Sequence, residues 1–92
     1  MSMIRQAEYE IINRRGLHAR AAAKFATLAA RHASDITVSR NGLRINGKSI
    51  MGLMMLAAGQ GSSIGIEASG EDAQEALEAL AALIARRFDE DD

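Results

Sequence analysis

Asp35-Ile36-Thr37-Val38-Ser39-Arg40-Asn41-Gly42-Leu43-Arg44-Ile45-Asn46 reads as two short strands folded back on each other. Ile36 and Val38 alternate with polar neighbours, which is the period-two pattern of a half-buried strand. Asn41-Gly42 then supplies the strongest short hairpin signal, because the favoured two-residue turn needs positive φ at both central positions and Asn and Gly tolerate it. Leu43 to Asn46 returns as the partner strand. An antiparallel pair therefore lies at the middle of the chain, and the flanking segments have to be fitted around it.

On the N-terminal side, Ala19 to about Arg31 is Ala-rich and free of Gly and Pro. Ala22, Phe25, Ala26 and Ala29 recur at helical spacing, so this segment is an amphipathic helix. Before it, Asn13-Arg14-Arg15-Gly16 has loop chemistry. Arg5 to Asn13 reads as a strand, with Tyr9 and Ile11 alternating with Glu8 and Glu10. On the C-terminal side, Gly47-Lys48-Ser49 introduces Ile50 to Leu56, a short helix for which Ser49 is a good N-cap. Residues 57–62, with Gly59 and Gly61, form a turn, and Ser63 to Ser69 a strand carrying Ile64 and Ile66 on one face. Gly70 leads into a final helix from Glu71 to about Phe88. Glu71 and Asp72 are expected in its first turn and Arg86 and Arg87 in its last, as the helix dipole prefers. Ala73, Leu77, Leu80, Ala81 and Ile84 line its apolar face, and Asp89 to Asp92 are expected to form a frayed acidic tail. This element order predicts an α+β sandwich, with helices on one face of a mostly antiparallel sheet.

The 92 residues are expected to form one domain, spanning 1–92, with a single small core. Such a core leaves little room for a large cofactor, and no cofactor is expected. Cysteine is absent, which excludes disulfides and thiolate metal sites, and no metal cluster is assembled from the other residues. Residues 1–10 contain no apolar run, and no stretch approaches the roughly 20 apolar residues of a membrane span. A cytoplasmic protein without membrane insertion is the expectation. The net charge of −1 hides a polarity. Residues 1–50 carry nine Lys/Arg and three Asp/Glu, whereas residues 51–92 carry two and nine. That pattern fits either a basic region aimed at an anion or acidic partner, or an ordinary solvated surface. Arg14, Arg15, Lys24, Arg40, Arg44 and Lys48 do not amount to a nucleic-acid surface in a net acidic chain with one Tyr and two Phe.

The residues that carry chemistry are Gly16-Leu17-His18-Ala19-Arg20. His18 follows a glycine turn and directly precedes the first helix. Its imidazole is thereby placed where unpaired N–H groups and the positive dipole end gather, a site that stabilises an anion. Arg20, in the first helical turn, can pair with phosphate oxygens in a bidentate manner. A histidine with a reference pKa near 6.5 is largely neutral at cellular pH and keeps one ring nitrogen unprotonated. These residues combine a nucleophile with an oxyanion cradle, yet the chain has no P-loop with which to draw a phosphoryl group from a nucleotide. Read by themselves, they are equally compatible with an exposed helix-capping histidine.

Gly16-Leu17-His18-Ala19-Arg20-Ala21-Ala22 resembles the active-site motif of the histidine-containing phosphocarrier family of the phosphotransferase system, HPr. Asn46-Gly47-Lys48-Ser49-Ile50-Met51-Gly52-Leu53-Met54 resembles that family's second motif, around its regulatory serine. The resemblance covers nearly the whole chain. It implies an open-faced β-sandwich, with a four-stranded antiparallel sheet covered on one face by three helices. It also implies a phosphocarrier that is itself a substrate of phosphoryl transfer rather than an enzyme. His18 would accept a phosphoryl group on Nδ1 from phosphorylated enzyme I and pass it to an enzyme IIA domain, with Arg20 neutralising the phosphate. Ser49 would be the target of an HPr kinase/phosphorylase where the organism has one. Partner contacts would fall on Ala19, Ala23 and Lys24 of the first helix and on Lys48, Ile50, Met51 and Met54 around the short one. The family usually has proline where this chain has Ala21. The segment Leu53-Met54-Met55-Leu56 and the tail Phe88-Asp89-Glu90-Asp91-Asp92 resemble the nitrogen-related branch, NPr, whereas Lys48-Ser49-Ile50-Met51-Gly52 resembles the serine-regulated sugar branch. A purely regulatory module controlled through Ser49 is the alternative function. A carrier that docks with successive partners is expected to be monomeric.

His32 falls at the end of the first helix, where a cation is favoured. A metal pair with His18 is discarded, because 14 residues of helix separate them by about 20 Å.

Overall fold

The structure is a computed structural model that describes residues 3–91. Its elements in chain order are β1 (Met3–Glu10), α1 (Ala19–Ala30), β2 (Asp35–Arg40), β3 (Leu43–Asn46), α2 (Ile50–Met55), β4 (Ser63–Gly70) and α3 (Ala73–Ala85). The four strands form one sheet in the order β1-β4-β2-β3, and every neighbouring pair is antiparallel. Ala7, Ile66, Val38 and Ile45 stand opposite one another in a row across all four strands. Ile64, Ile66 and Ala68 of β4 are buried while Gly65 and Glu67 between them are not, so the alternation puts one face of the sheet under the helices and leaves the other open. Phe25, Leu53, Leu80 and Phe88 fill the space between sheet and helices, each with no exposed surface. On the open face Arg44 reaches Glu67 at 3.7 Å.

The hairpin and the short helix arise from local chemistry. Asn41 and Gly42 both adopt positive φ, at 51° and 83°, as the two-residue turn demands. Ser49 caps α2 by accepting a hydrogen bond from the Gly52 N–H at 3.0 Å. His32 closes α1 by donating its Nδ1–H to the Leu28 carbonyl.

Several expected boundaries are corrected. β1 ends at Glu10 rather than Asn13, although Ile11 still bonds to Ser62 and Gly61. Asn13 is a fully buried loop residue. α3 begins at Ala73, not Glu71, because Asp72 is drawn away from the helix. Its carboxylate accepts from the backbone N–H groups of Ala33 and Ser34, both at 2.9 Å, and from the Ser34 hydroxyl. Glu75 is therefore the acidic residue in the first turn, and no basic residue lies in the last. The buried face of α3 takes in Ala76 and Leu83, while Ala81 is only half-buried. The helix stops at Ala85 instead of Phe88, because Arg87, Phe88 and Asp89 all take positive φ, at 60°, 55° and 62°. The tail from Asp89 is not frayed as far as Glu90, whose side chain is only 9% exposed. Asp92, the last residue of the expected tail, lies outside the described residues.

The Asp72 clasp has a pH signature. The Ser34 hydroxyl, the Ala33 and Ser34 N–H groups and the nearby His32 charge hold its carboxyl down to about 2, against a modest opposing effect of burial. A depressed carboxyl stabilises the fold above its unfolded pKa and loses that contribution as pH falls through the folded value. The melting temperature is therefore expected to drop as pH falls from about 4 towards 2. Asp72→Ala is expected to lower it at neutral pH and to flatten the acid limb, which thermal unfolding followed across that range will test.

Candidate functional site

The approach to α1 is set by Gly16, whose φ is +67°. A Cβ there would lie 2.5 Å from the Ala58 carbonyl oxygen and 2.7 Å from the Gly59 Cα, both backbone atoms, so only glycine fits this close crossing. Leu17, nearly buried, donates its N–H to the same Ala58 oxygen at 2.8 Å. The chain thus enters α1 pinned on its inner side. His18 follows with extended backbone angles, φ −76° and ψ −179°, as the N-cap of the helix. Its carbonyl accepts from Ala22 at 2.8 Å.

Both ring nitrogens of His18 have partners. Nδ1 accepts from the Arg20 backbone N–H at 3.3 Å, so this nitrogen presents a lone pair towards the start of α1. Nε2 faces Glu90 Oε2 in a very short contact. The His18 side chain keeps 23% of its surface exposed. The Arg20 side chain is exposed, and among the described residues its guanidinium makes no ion pair or hydrogen bond. Ala21 is wholly buried at the third helical position, so the departure from the usual proline falls on the inner side of the first turn.

Glu90 was not anticipated from the sequence. Its Oε1 accepts from Asn13 Nδ2 at 3.0 Å, and the same amide donates to the Gly16 carbonyl at 2.8 Å. Burial pushes the Glu90 carboxyl up, but the hydrogen bonds from Asn13 and His18 and the charges of His18 and Arg15 outweigh it and leave the group below its ordinary range.

The other expected site residues are dispersed around this centre. Ala19 is exposed and Ala23 half-buried. Lys24 is turned inwards, donating from Nζ to the Phe88 carbonyl at 2.8 Å. Lys48 is likewise tied back, to the His32 carbonyl at 2.9 Å. Ile50, Met51 and Met54 are exposed, and Met55 joins them, since a six-residue helix buries only Leu53. This apolar patch lies on α2, which packs against α1.

The model of the family described as PTS HPr component phosphorylation site matches residues 5–86. A phosphocarrier protein HPr of Cupriavidus necator is 55% identical over 85 residues, covering 92% of this chain and 96% of its own. One from Neisseria meningitidis is 51% identical over 88 residues, covering 96% and 98%. Among solved structures, HPr-C-His from Thermoanaerobacter tengcongensis superposes with a TM-score of 0.91 at 41% identity, covering 95% of this chain and 98% of that one.

Proposed function

The chain belongs to the HPr family of phosphocarriers of the phosphotransferase system, and from that membership we propose that His18 is the residue that carries the phosphoryl group. The observation that carries the proposal is the orientation of Nδ1, a lone pair aimed at the amino end of a 12-residue helix. Phosphorylated enzyme I is the donor in this reading and an enzyme IIA domain the acceptor. As the P–Nδ1 bond forms, the bond from phosphorus to the donor breaks and its electron pair stays with the donor. The Nε2 proton remains on the ring, which becomes cationic. The phosphoryl oxygens then meet the N–H groups of the first turn and the positive dipole end, and Arg20 supplies a mobile bidentate partner. The carrier needs no cofactor for this exchange. The exposed apolar side chains of α2, with Ala19 and Ala23, form the docking surface, and Lys24 and Lys48 contribute positive potential at its edge.

The test is mass spectrometry after incubation with enzyme I and phosphoenolpyruvate. A gain of one acid-labile phosphate, mapped to His18, is expected. The competing reading, a regulatory module acting through Ser49 alone, predicts no labelling of His18.

Ser49 is read as a brake on this transfer. Its hydroxyl caps α2, where a phosphate dianion is tolerated by the helix start, so the fold survives modification. The added charge borders Ile50, Met51 and Met54 and would repel an acidic partner while adding a desolvation cost. Ser49→Asp is expected to slow phosphorylation of His18 by on the order of tenfold, equivalent to about 1.4 kcal/mol of docking free energy. Initial rates at subsaturating enzyme I measure this, and an unchanged melting temperature excludes unfolding as the cause.

A further inference from the structure

We propose that Glu90 is a positioning residue for His18, holding the ring proton on Nε2 so that Nδ1 is the free nucleophile and taking up the positive charge the ring acquires on phosphorylation. This proposal rests on the reading of His18 as the phosphoryl-accepting residue.

The two ring contacts require opposite characters of the two nitrogens. Nδ1 receives an N–H from Arg20 and must offer a lone pair. Nε2 faces a carboxylate oxygen, which only accepts, so Nε2 must carry the hydrogen. The neutral ring is therefore assigned the Nε2–H tautomer from both ends. Without Glu90 the long 3.3 Å contact to Arg20 would be left as the only internal determinant of the tautomer.

The carboxylate is itself fixed. One oxygen meets Nε2, and the other is held by Asn13, whose amide is anchored in turn on Gly16. A side chain as enclosed as this one retains its charge only where such partners replace water. Its delivery is equally specific. The left-handed turn of Arg87, Phe88 and Asp89 reverses the chain after α3. Phe88 is sunk completely into the core, and Lys24 clamps its carbonyl. Arg86 Nε closes the turn on Asp89 at 2.7 Å. These contacts bring a residue 72 positions away in sequence against the ring.

When Nδ1 gains the phosphoryl group, the proton on Nε2 stays and the ring becomes cationic. A carboxylate already hydrogen-bonded to that proton stabilises the charge as it develops, which a neutral partner cannot do equally well. The arrangement parallels the role of a buried carboxylate behind a catalytic histidine, where it orients the ring and stabilises the imidazolium without itself taking the proton.

Glu90→Gln keeps the size of the side chain and removes its charge. Its amide presents one oxygen and one NH2 to two donors, Asn13 Nδ2 and His18 Nε2–H, so one of them must yield. Two measurements on the same proteins test the proposal. Ring 15N shifts of unphosphorylated wild type are expected to show the Nε2–H form dominating the neutral ring, and those of Glu90→Gln a substantial Nδ1–H population. Initial phosphorylation by enzyme I and phosphoenolpyruvate is expected to be about tenfold slower in Glu90→Gln, the difference between a charged and a neutral hydrogen bond. Asp91→Asn, which removes a neighbouring exposed charge, is expected to match wild type in both. Unchanged ring shifts in Glu90→Gln, or a rate within twofold of wild type, overturn the proposal, as does an equal slowing in Asp91→Asn. A wild type that is never labelled overturns the carrier reading itself, and this proposal with it.

Discussion

His18→Ala is expected to abolish phosphoenolpyruvate-dependent labelling while leaving a folded protein. The loss is expected to be complete because the side chain is the proposed nucleophile. His32, the second histidine in the chain, lies at the far end of α1 with Nδ1 bonded to Leu28. The structural cost of the substitution is a helix cap and the Nε2 contact to Glu90. Nδ1 accepts one long hydrogen bond from Arg20, and the cap's backbone acceptor, the His18 carbonyl bonded to Ala22, is retained by alanine. Loss of an N-cap side chain costs about 0.5–2 kcal/mol, and about 1 kcal/mol shifts the melting temperature of a domain this size by roughly 4–8 °C. Glu90 loses one partner but keeps Asn13. Residual labelling of the variant at any site under the same conditions would remove His18 from its assigned role. Unfolding of the variant would show that the ring does more for the fold than its two hydrogen bonds suggest.

The parts of this fold that could be read from sequence are those whose cause is local. The hairpin followed from Asn41-Gly42 because positive φ at two successive residues is a property of those residues. The α2 cap followed from Ser49 for the same reason. The placing of Gly16, His18 and Arg20 was legible too, since they are neighbours and a turn leading into a helix brings them together without help from the rest of the chain. Ile50, Met51, Met54 and Met55 are exposed for an equally local reason, since so short a helix has only one side to bury.

The misreadings share the opposite property. Glu71 and Asp72 looked like first-turn acids, but the Asp72 carboxylate serves the loop at Ala33 and Ser34, 39 and 38 positions away. Leu80, Ile84 and Phe88 recur every fourth residue, so periodicity extended α3 to Phe88. In fact the helix breaks first, and Phe88 reaches the core by a left-handed turn that contains no glycine. Left-handed backbone costs ordinary residues about 1–2 kcal/mol each, so no propensity argument would choose it. The packing of Phe88 and the hydrogen bonds from Lys24 and Arg86 offset that cost. Glu90 was missed as a consequence, because its position depends on that turn. The isolated aromatic at Phe88, followed by an acid two residues later, is the one sequence feature that pointed to it.

Phe88→Ala tests this linkage between core and site directly. Truncating a fully buried phenylalanine removes its transfer free energy and leaves a cavity, a combined cost of about 3–5 kcal/mol. Against a total stability of roughly 5–15 kcal/mol, that is a large fraction. The cost is expected at the low end of the range, because the turn has a second way to respond. Three left-handed residues cost about 3–6 kcal/mol, an amount comparable with the roughly 1.5–3 kcal/mol gained by burying Phe88 and the hydrogen bonds of Lys24 and Arg86 together. With the ring gone, the turn is expected to relax, recovering part of its strain and detaching the tail. Stability should fall by about 3 kcal/mol, and the melting temperature by roughly 12 °C or more. Detachment withdraws Glu90 from His18, so phosphorylation should slow as far as it does in Glu90→Gln, about tenfold. Denaturant unfolding, amide exchange at residues 86–91 and initial phosphorylation rates read the three effects separately. A variant that loses stability but keeps a protected tail and wild-type transfer would show that Asn13 and Lys24 hold Glu90 in place without the Phe88 anchor.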